Sequence, residues 1–450
     1  MAGKKRRRRT EKTPRRTTRA GLTALSLSLT KHLSPPEEGH VAAPSAATCG
    51  DANLAFSPAA IYAALALLAA GAKGTTLQEL LDALGGESRG VADCALADQS
   101  RSGGPAVAFA CGAWHDAAWT LLPEFRDAIA AAAYKADVRG VDFSHEPERV
   151  VKEINGCVAA ATNKRIDSII DPSSLNTSTN LVVASAIYFK GKWDAPFGRS
   201  HTMVDKFYHL DGSTTKVPFM RSSRSQLICI RKGHKVLKLP YRSPAPLPPP
   251  PPPPRQRKGG SSHQSEAGDE ISNASDDELP KYSMCIFLPD ERDGLAAMVE
   301  QMASGPGFWH YRLPSMRVPV GDFRLPKFKL TVSSSLKQVL RDDMGINSVF
   351  CDVDADLSEM AKRKDDDEPG TPPLHVGDVR HKAVLEVNEE GTMAMASTGS
   401  YLLCGANAVM DQPETVDFVA DHPFLFFVIE EVSRAIVFVG RVLDPSISGL

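Results

Sequence analysis

The chain has 450 residues, 42% of them hydrophobic, enough for a large core in one big domain or two to three ordinary ones. Its net charge of −2 is unevenly spread: Met1 to Leu22 holds ten Lys/Arg and one Glu, a balance of +9, which leaves −11 for the rest. The eight cysteines form no CxxC pair, and the longest uncharged apolar run, Ala59 to Ala72, is too short to span a bilayer. A reducing compartment is therefore expected, without disulfides, metal, cofactor or membrane span.

Residues 1–20, with Lys4 to Arg9 as an unbroken basic run, should form a disordered tail, because like charges at this density repel. The tail suits nuclear import or a nucleic-acid tether, and equally a solvated end with no partner. Residues 21–29 imitate a signal-peptide core, but Ser and Thr interrupt them and no small-residue cleavage site follows. Leu22, Leu25, Leu29 and Leu33 instead mark one face of a helix. A cytoplasmic or nuclear location follows from this reading.

After a Pro/Ala/Ser linker, Ser57 is placed to cap a helix that has Pro58 in its first turn. Thr76 and Glu79 have capping-box spacing for a second helix, which should stop at Gly85-Gly86. Ala106 to Trp114 alternates as a strand, Pro123 to Tyr134 reads as a helix, and Val150, Ile154, Cys157 and Ala161 share a helical face. Leu181 to Phe189 is continuously apolar apart from Ser185 and Tyr188, as suits a strand buried on both faces, and Trp193 follows it.

Val236 to Tyr241 and Tyr282 to Leu288 read as two arms of a hairpin. Between them, residues 243–280 include seven consecutive prolines, Pro248 to Pro254, then a basic cluster and a Gly/Ser/acidic tail. The prolines suit an SH3- or WW-type partner. They equally suit a tolerated surface insertion, since doubling a loop costs only about 0.6 kcal/mol. A second charged loop is expected over 361–373. Phe424 to Glu430 and Ala435 to Val442 are two apolar strands.

No His-Glu-x-x-His, Gly-x-Ser-x-Gly or phosphate loop is present, so a conventional enzyme is not expected. The unusual stretch is 389–416. It begins Glu389-Glu390-Gly391-Thr392-Met393-Ala394-Met395-Ala396, stays small or polar through Cys404-Gly405-Ala406, and reaches Asp421-His422-Pro423-Phe424. A loop this long between strands is functional or disordered.

Together with Asn53 to Thr76, Leu181 to Phe197, and Leu325 to Leu330, this stretch resembles the serpins, the serine-protease-inhibitor family, and most closely their plant branch. The resemblance covers about residues 21–446 apart from the insertions. It implies an α+β fold of about nine helices around three β-sheets, in a single domain with an exposed reactive-centre loop. It also implies an irreversible suicide-substrate inhibitor of serine, or cysteine, endopeptidases. The protease cuts the loop, becomes covalently trapped, and the loop inserts into the main sheet, a strand addition for which serpins are a stock example.

In the family's register Thr392, Ala394, Ala396, Thr398 and Ser400 would face inward; all are small and none is charged. The scissile bond falls at Gly405–Ala406, with Cys404 next in line if the register slips by one. Small residues there exclude a trypsin-like target, which needs Lys or Arg. Glu389 is expected to pair with Lys327, with Glu390 on the other face. Trp193, Lys327 and Ser185 would support the place where the sheet opens, although Ser185 replaces the family's usual Asn. Asp421, His422, Pro423 and Phe424 match the family signature. Met393 and Met395 replace the usual Glu and Ala, which keeps a non-inhibitory serpin open as an alternative. So does the basic tail for a nuclear, nucleic-acid-associated one. A monomer is expected, and the family also admits the extracellular space.

Overall fold

The structure is a computed structural model that describes residues 17–31, 53–86, 96, 98–131, 136–175, 178–243, 280–303, 313–364, 372–391 and 415–447. Three large sheets and a two-stranded ribbon carry the architecture. Among the described residues six α-helices surround them.

The five-stranded sheet has the order Phe328–Ser335, Asp378–Val387, Leu181–Lys190, Ala106–Asp116, Ala136–Val141. Leu181–Lys190 is thus the central strand, and Asp378–Val387, which runs into the stretch at 389, is the hinge strand. These two are parallel, from Asp378 opposite Val182 to Leu385 opposite Phe189. The central strand is buried along almost its whole length because both sheet faces are covered.

One cover is the helix Pro58–Ala69, whose residues are all buried. It packs between the central strand and the strand Ala435–Val442 of the seven-stranded sheet. Its Ala-rich sequence lets two sheets approach a single helix closely. The Ser57 side chain caps it, accepting from the Ala60 N–H, and Pro58 follows in the first turn. On the opposite face lies the helix Pro147–Ala161.

The seven-stranded sheet joins the hairpin His234–Pro240/Tyr282–Pro289 to Phe424–Glu430 and Ala435–Val442. Phe189, Tyr241, Tyr282 and Phe438 meet edge to face where it packs on the five-stranded sheet. The four-stranded sheet ends on Val416–Val419, which runs parallel to Val320–Pro326.

Several sequence readings need correction. The first helix, Thr17–Lys31, starts inside the stretch read as tail; Leu22, Leu25 and Leu29 do face the core, while Leu33 lies outside the described residues. Thr76 and Glu79 form no capping box. Lys73 is the N-cap, the Thr76 hydroxyl accepts from the Asp356 N–H, and Glu79 accepts from Asn347 and Ser348. Those side chains tie the helix to a distant loop instead of its own first turn. The buried face of Pro147–Ala161 is Val150, Val151, Ile154 and Val158, whereas Ala161 is exposed. The loop read as 361–373 opens with a strand, Ala361–Arg363, paired with Trp119–Leu121.

Candidate functional site: the hinge at the mouth of a parallel seam

Where the hinge strand ends, the chain makes a tight turn, Asn388 to Gly391, with the Gly391 N–H donating to the Asn388 carbonyl at 3.2 Å. The Asn388 side chain also accepts from the Glu390 N–H at 3.1 Å. Gly391 has φ +87°, a left-handed conformation that disfavours a side chain. A Cβ there would also lie 2.3 Å from the Gly191 carbonyl oxygen and 2.4 Å from the Trp193 nitrogen. Glycine is required on both counts.

The turn is pinned to the segment that follows the central strand. Three successive hinge carbonyls accept from it: Asn388 from the Trp193 indole at 2.9 Å, Glu389 from the Phe197 N–H at 2.7 Å, and Glu390 from the Trp193 N–H at 3.0 Å. Trp193 is itself held flat against Tyr241, ring centroids 4.5 Å apart. The two acidic side chains diverge. Glu389 is buried, with Lys327 Nζ at 3.1 Å and the Thr202 hydroxyl donating at 2.7 Å. Glu390 meets Arg199 at 2.5 Å on the other side. Burial pushes the Glu389 carboxyl up, but Thr202, the backbone and Lys327 together outweigh it and hold its pKa below the ordinary carboxylate value.

Ser185 is not part of this cluster. It sits eight residues before Trp193, in the middle of the central strand, five strand steps or about 17 Å from the strand's end at Lys190, beyond which Trp193 lies. Its hydroxyl lies 2.9 Å from His381 Nδ1 on the hinge strand, directly opposite. The Ser57 N–H donates to His381 Nε2 at 3.0 Å. With Nε2 accepting, Nδ1 carries the proton and donates to Ser185. One neutral imidazole thus joins the buried helix cap, the central strand and the hinge strand. Burial lowers the His381 pKa to about 3, so it stays uncharged. Neither Ser185 nor His381 has a buried polar side-chain atom without a partner.

Thr202, Arg199, Asn388, Tyr241 and His381 escaped the sequence reading. Only His381 left a signal: it stands at a core-facing position of the alternating run Val379, His381, Ala383, Leu385, Val387. The other four act through tertiary partners with no local pattern.

Asp421, His422, Pro423 and Phe424 lie at the start of the strand Phe424–Glu430. His422 is buried, with Nδ1 2.8 Å from the Asp421 carboxylate and Nε2 2.9 Å from the Pro289 carbonyl, and Phe424 packs edge-on against Phe328. Thr392, Met393, Ala394, Met395 and Ala396, the scissile candidates Cys404, Gly405 and Ala406, the prolines 248–254 and residues 1–16 all lie outside the described residues. Among the described residues there is no cluster of His, Cys, Asp and Glu that could hold a metal, and no helix long and apolar enough to cross a membrane.

A mixed α+β body in which a loop leaves a hinge beside a parallel strand pair and re-enters as an edge strand of another sheet defines the serpin fold. The family model for Serpin (serine protease inhibitor) matches residues 41–247 and 278–445, and the chain belongs to this family. The unmatched gap falls inside the proline-rich insertion. Serpin-Z2A of Oryza sativa subsp. japonica is 45% identical, covering 95% of this chain and 97% of its own length. Putative serpin-Z6C of the same organism is 43% identical over 97% and 99%. Among solved structures, Arabidopsis AtSerpin1 in its native stressed conformation superposes with TM-score 0.76, at 29% identity, covering 97% of this chain and all of that one. Uncleaved ovalbumin, at 21% identity, covers 95% of this chain and all of its own with TM-score 0.69, and shares the fold.

Proposed function

We propose that this chain is a suicide-substrate inhibitor of serine or cysteine endopeptidases, acting by cleavage of the 389–416 loop and insertion of its N-terminal part between the hinge and central strands. The observation that carries this reading is the parallel seam with a turned-back hinge at its mouth. A chain leaving the hinge strand and folding back beside it must run antiparallel to it. Because the central strand is parallel to the hinge strand, the same entering segment is antiparallel to both. Insertion therefore exchanges one parallel ladder for two antiparallel ones, which are slightly more stable per residue. Each added backbone hydrogen bond contributes about 1 kcal/mol net.

While the loop is intact it is tethered at both ends, at Gly391 and at Val416. Cutting it frees the N-terminal arm. The segment from Thr392 to Gly405 spans about 43 Å as a strand, enough to carry a residue at 405 past the whole hinge strand, about 30 Å long. A protease held there as an acyl-enzyme would be moved from one pole of the sheet to the other and distorted before water completes hydrolysis. The inward register positions are small and uncharged, so no charge is buried on the way. The resemblance to a relative solved in a stressed native form supports stored strain as the energy source.

Gly405 or Cys404 as the residue before the cut points to elastase-like or cysteine endopeptidases. The test is incubation with a panel of both, followed by denaturing electrophoresis. The expected result is a band of the summed mass that survives SDS. Cleavage without such a band by every protease tried would make the chain a non-inhibitory member of its family.

A further inference from the structure

The sheet face that carries the helix Pro147–Ala161 also holds a cleft of about 410 Å³, within the size range of small-molecule sites. The turn after that helix forms its wall. The floor crosses three strands: Tyr188 on the central strand, Lys382, Val384 and Glu386 on the hinge strand, and Lys329 and Thr331 on the edge strand. Register puts these on one face, with Val384 opposite both Tyr188 and Thr331, and Glu386 opposite Lys329.

Four cations converge there: Lys164 and Arg165 from the turn, Lys329 and Lys382 from the floor, against Asp167 and Glu386. Among the described residues none of the four makes an ion pair. The turn reaches the cleft through left-handed backbone at Asn163 and Lys164, φ 51° and 56°, uncommon for a lysine. Arg165 lies over the Tyr188 ring at 5.4 Å. Lys382 is half-buried, and burial lowers its pKa, with Asp167 opposing in part. Cations on both sides of a cleft suit two anionic groups. Carboxylates and hydroxyls between them, with Ser168 and Thr331 also on the lining, suit a polyol.

We propose that this cleft binds a small phosphate-bearing polyol, of the size of a sugar bisphosphate, across the seam between the central and hinge strands. Resting on the insertion reading above, the site also regulates it. Adjacent strands lie about 5 Å apart, and an inserted strand would move these two to about 10 Å. Arg165 and Tyr188 would then separate from Lys382 and Lys329. A ligand that prefers the closed seam opposes insertion by the same factor that insertion weakens its binding.

The test is calorimetric titration of the full chain with fructose 1,6-bisphosphate and with inorganic pyrophosphate. One saturable site for the bisphosphate is expected. The Arg165→Gln/Lys329→Gln pair, both exposed, should weaken it by about tenfold or more through lost charge-assisted hydrogen bonds. The Lys206→Gln/Lys216→Gln pair, exposed on the four-stranded sheet, removes equal charge and should change nothing. No binding to the intact chain, or equal loss in both variants, would overturn the site. Pyrophosphate binding as tightly as the bisphosphate would overturn the polyol. The loop-cleaved chain should melt higher and lose binding. If it melts higher yet binds equally, the regulatory role is overturned. If it does not melt higher, the insertion reading fails, and the site still stands or falls on the intact chain.

Discussion

Two polar clusters hold the hinge strand, and they work by opposite chemistry. At its C-terminal end the turn Asn388–Gly391 is clasped by charged groups, Lys327 to Glu389 and Arg199 to Glu390. Lys327 and Arg199 are partly or largely exposed, at 35% and 72% of their side chains, so water reaches the cationic side of each contact although the two carboxylates are mostly buried. At mid-strand, Ser57, Ser185 and His381 form a neutral, fully buried link in which nothing can be replaced by solvent. Under the proposed insertion, the contrast would suit a mouth that releases its chain and a middle that keeps the seam shut until a strand arrives.

The sharpest way to break this picture is to stop the entering strand itself. Thr392→Arg would bury an uncompensated charge in the sheet, and should convert an inhibitor into a substrate. Electrophoresis should then show cleavage with the SDS-stable adduct abolished; an undiminished adduct would contradict insertion. Next in size is the middle cluster. His381→Leu removes both hydrogen bonds and strands the Ser57 N–H and the Ser185 hydroxyl in the core. A loss of about 2–4 kcal/mol is expected in urea unfolding.

Acid should reveal the same difference. His381 is neutral in the fold, with a pKa of about 3 against an ordinary 6.5, so the unfolded chain takes up the proton first. Its contribution to stability is full above pH 6.5 and is lost as pH falls from 6.5 towards 3. Glu389, whose pKa is lowered from 4.5, contributes above the carboxylate range and loses it only as pH falls through that lower value. Urea midpoints measured between pH 6.5 and 4.5 should fall in the native chain and fall less steeply in His381→Gln, where buried His115, its pKa also lowered by burial, keeps part of the slope, while Glu389→Gln should leave the native slope in place.

The mouth itself should yield the smallest effects. Lys327→Met leaves the buried Glu389 with Thr202 and a backbone hydrogen bond but no cation, and should cost about 1–2 kcal/mol. Arg199→Ala should cost about 1 kcal/mol or less, because Arg199 itself is largely exposed and water can reach the half-buried Glu390 once it is gone. If the order of these two clusters were reversed in such measurements, the division of labour between mouth and middle would be wrong.

Much of the fold could be read from residues alone. The strands Phe424–Glu430 and Ala435–Val442 lie where their apolar runs place them, and Ser57-Pro58 opens its helix as cap chemistry dictates. Legibility failed wherever a polar side chain serves a partner far along the chain. Thr76 and Glu79 carried a local pattern but bond to residues 347–356, more than 260 positions away. Ser185 was grouped with Trp193 by proximity in sequence, yet a strand extends about 3.3 Å per residue and parts them. The cleft at Lys382 is built from three strands and a turn, a combination no window of sequence contains.

The central claim is that the uncut chain is held short of its lowest free energy by a closed parallel seam. It is tested most directly by the thermal midpoint of the chain before and after a single cut in the 389–416 loop. A midpoint well above that of the intact chain is predicted, with the two fragments still associated. An unchanged or lower midpoint would contradict it.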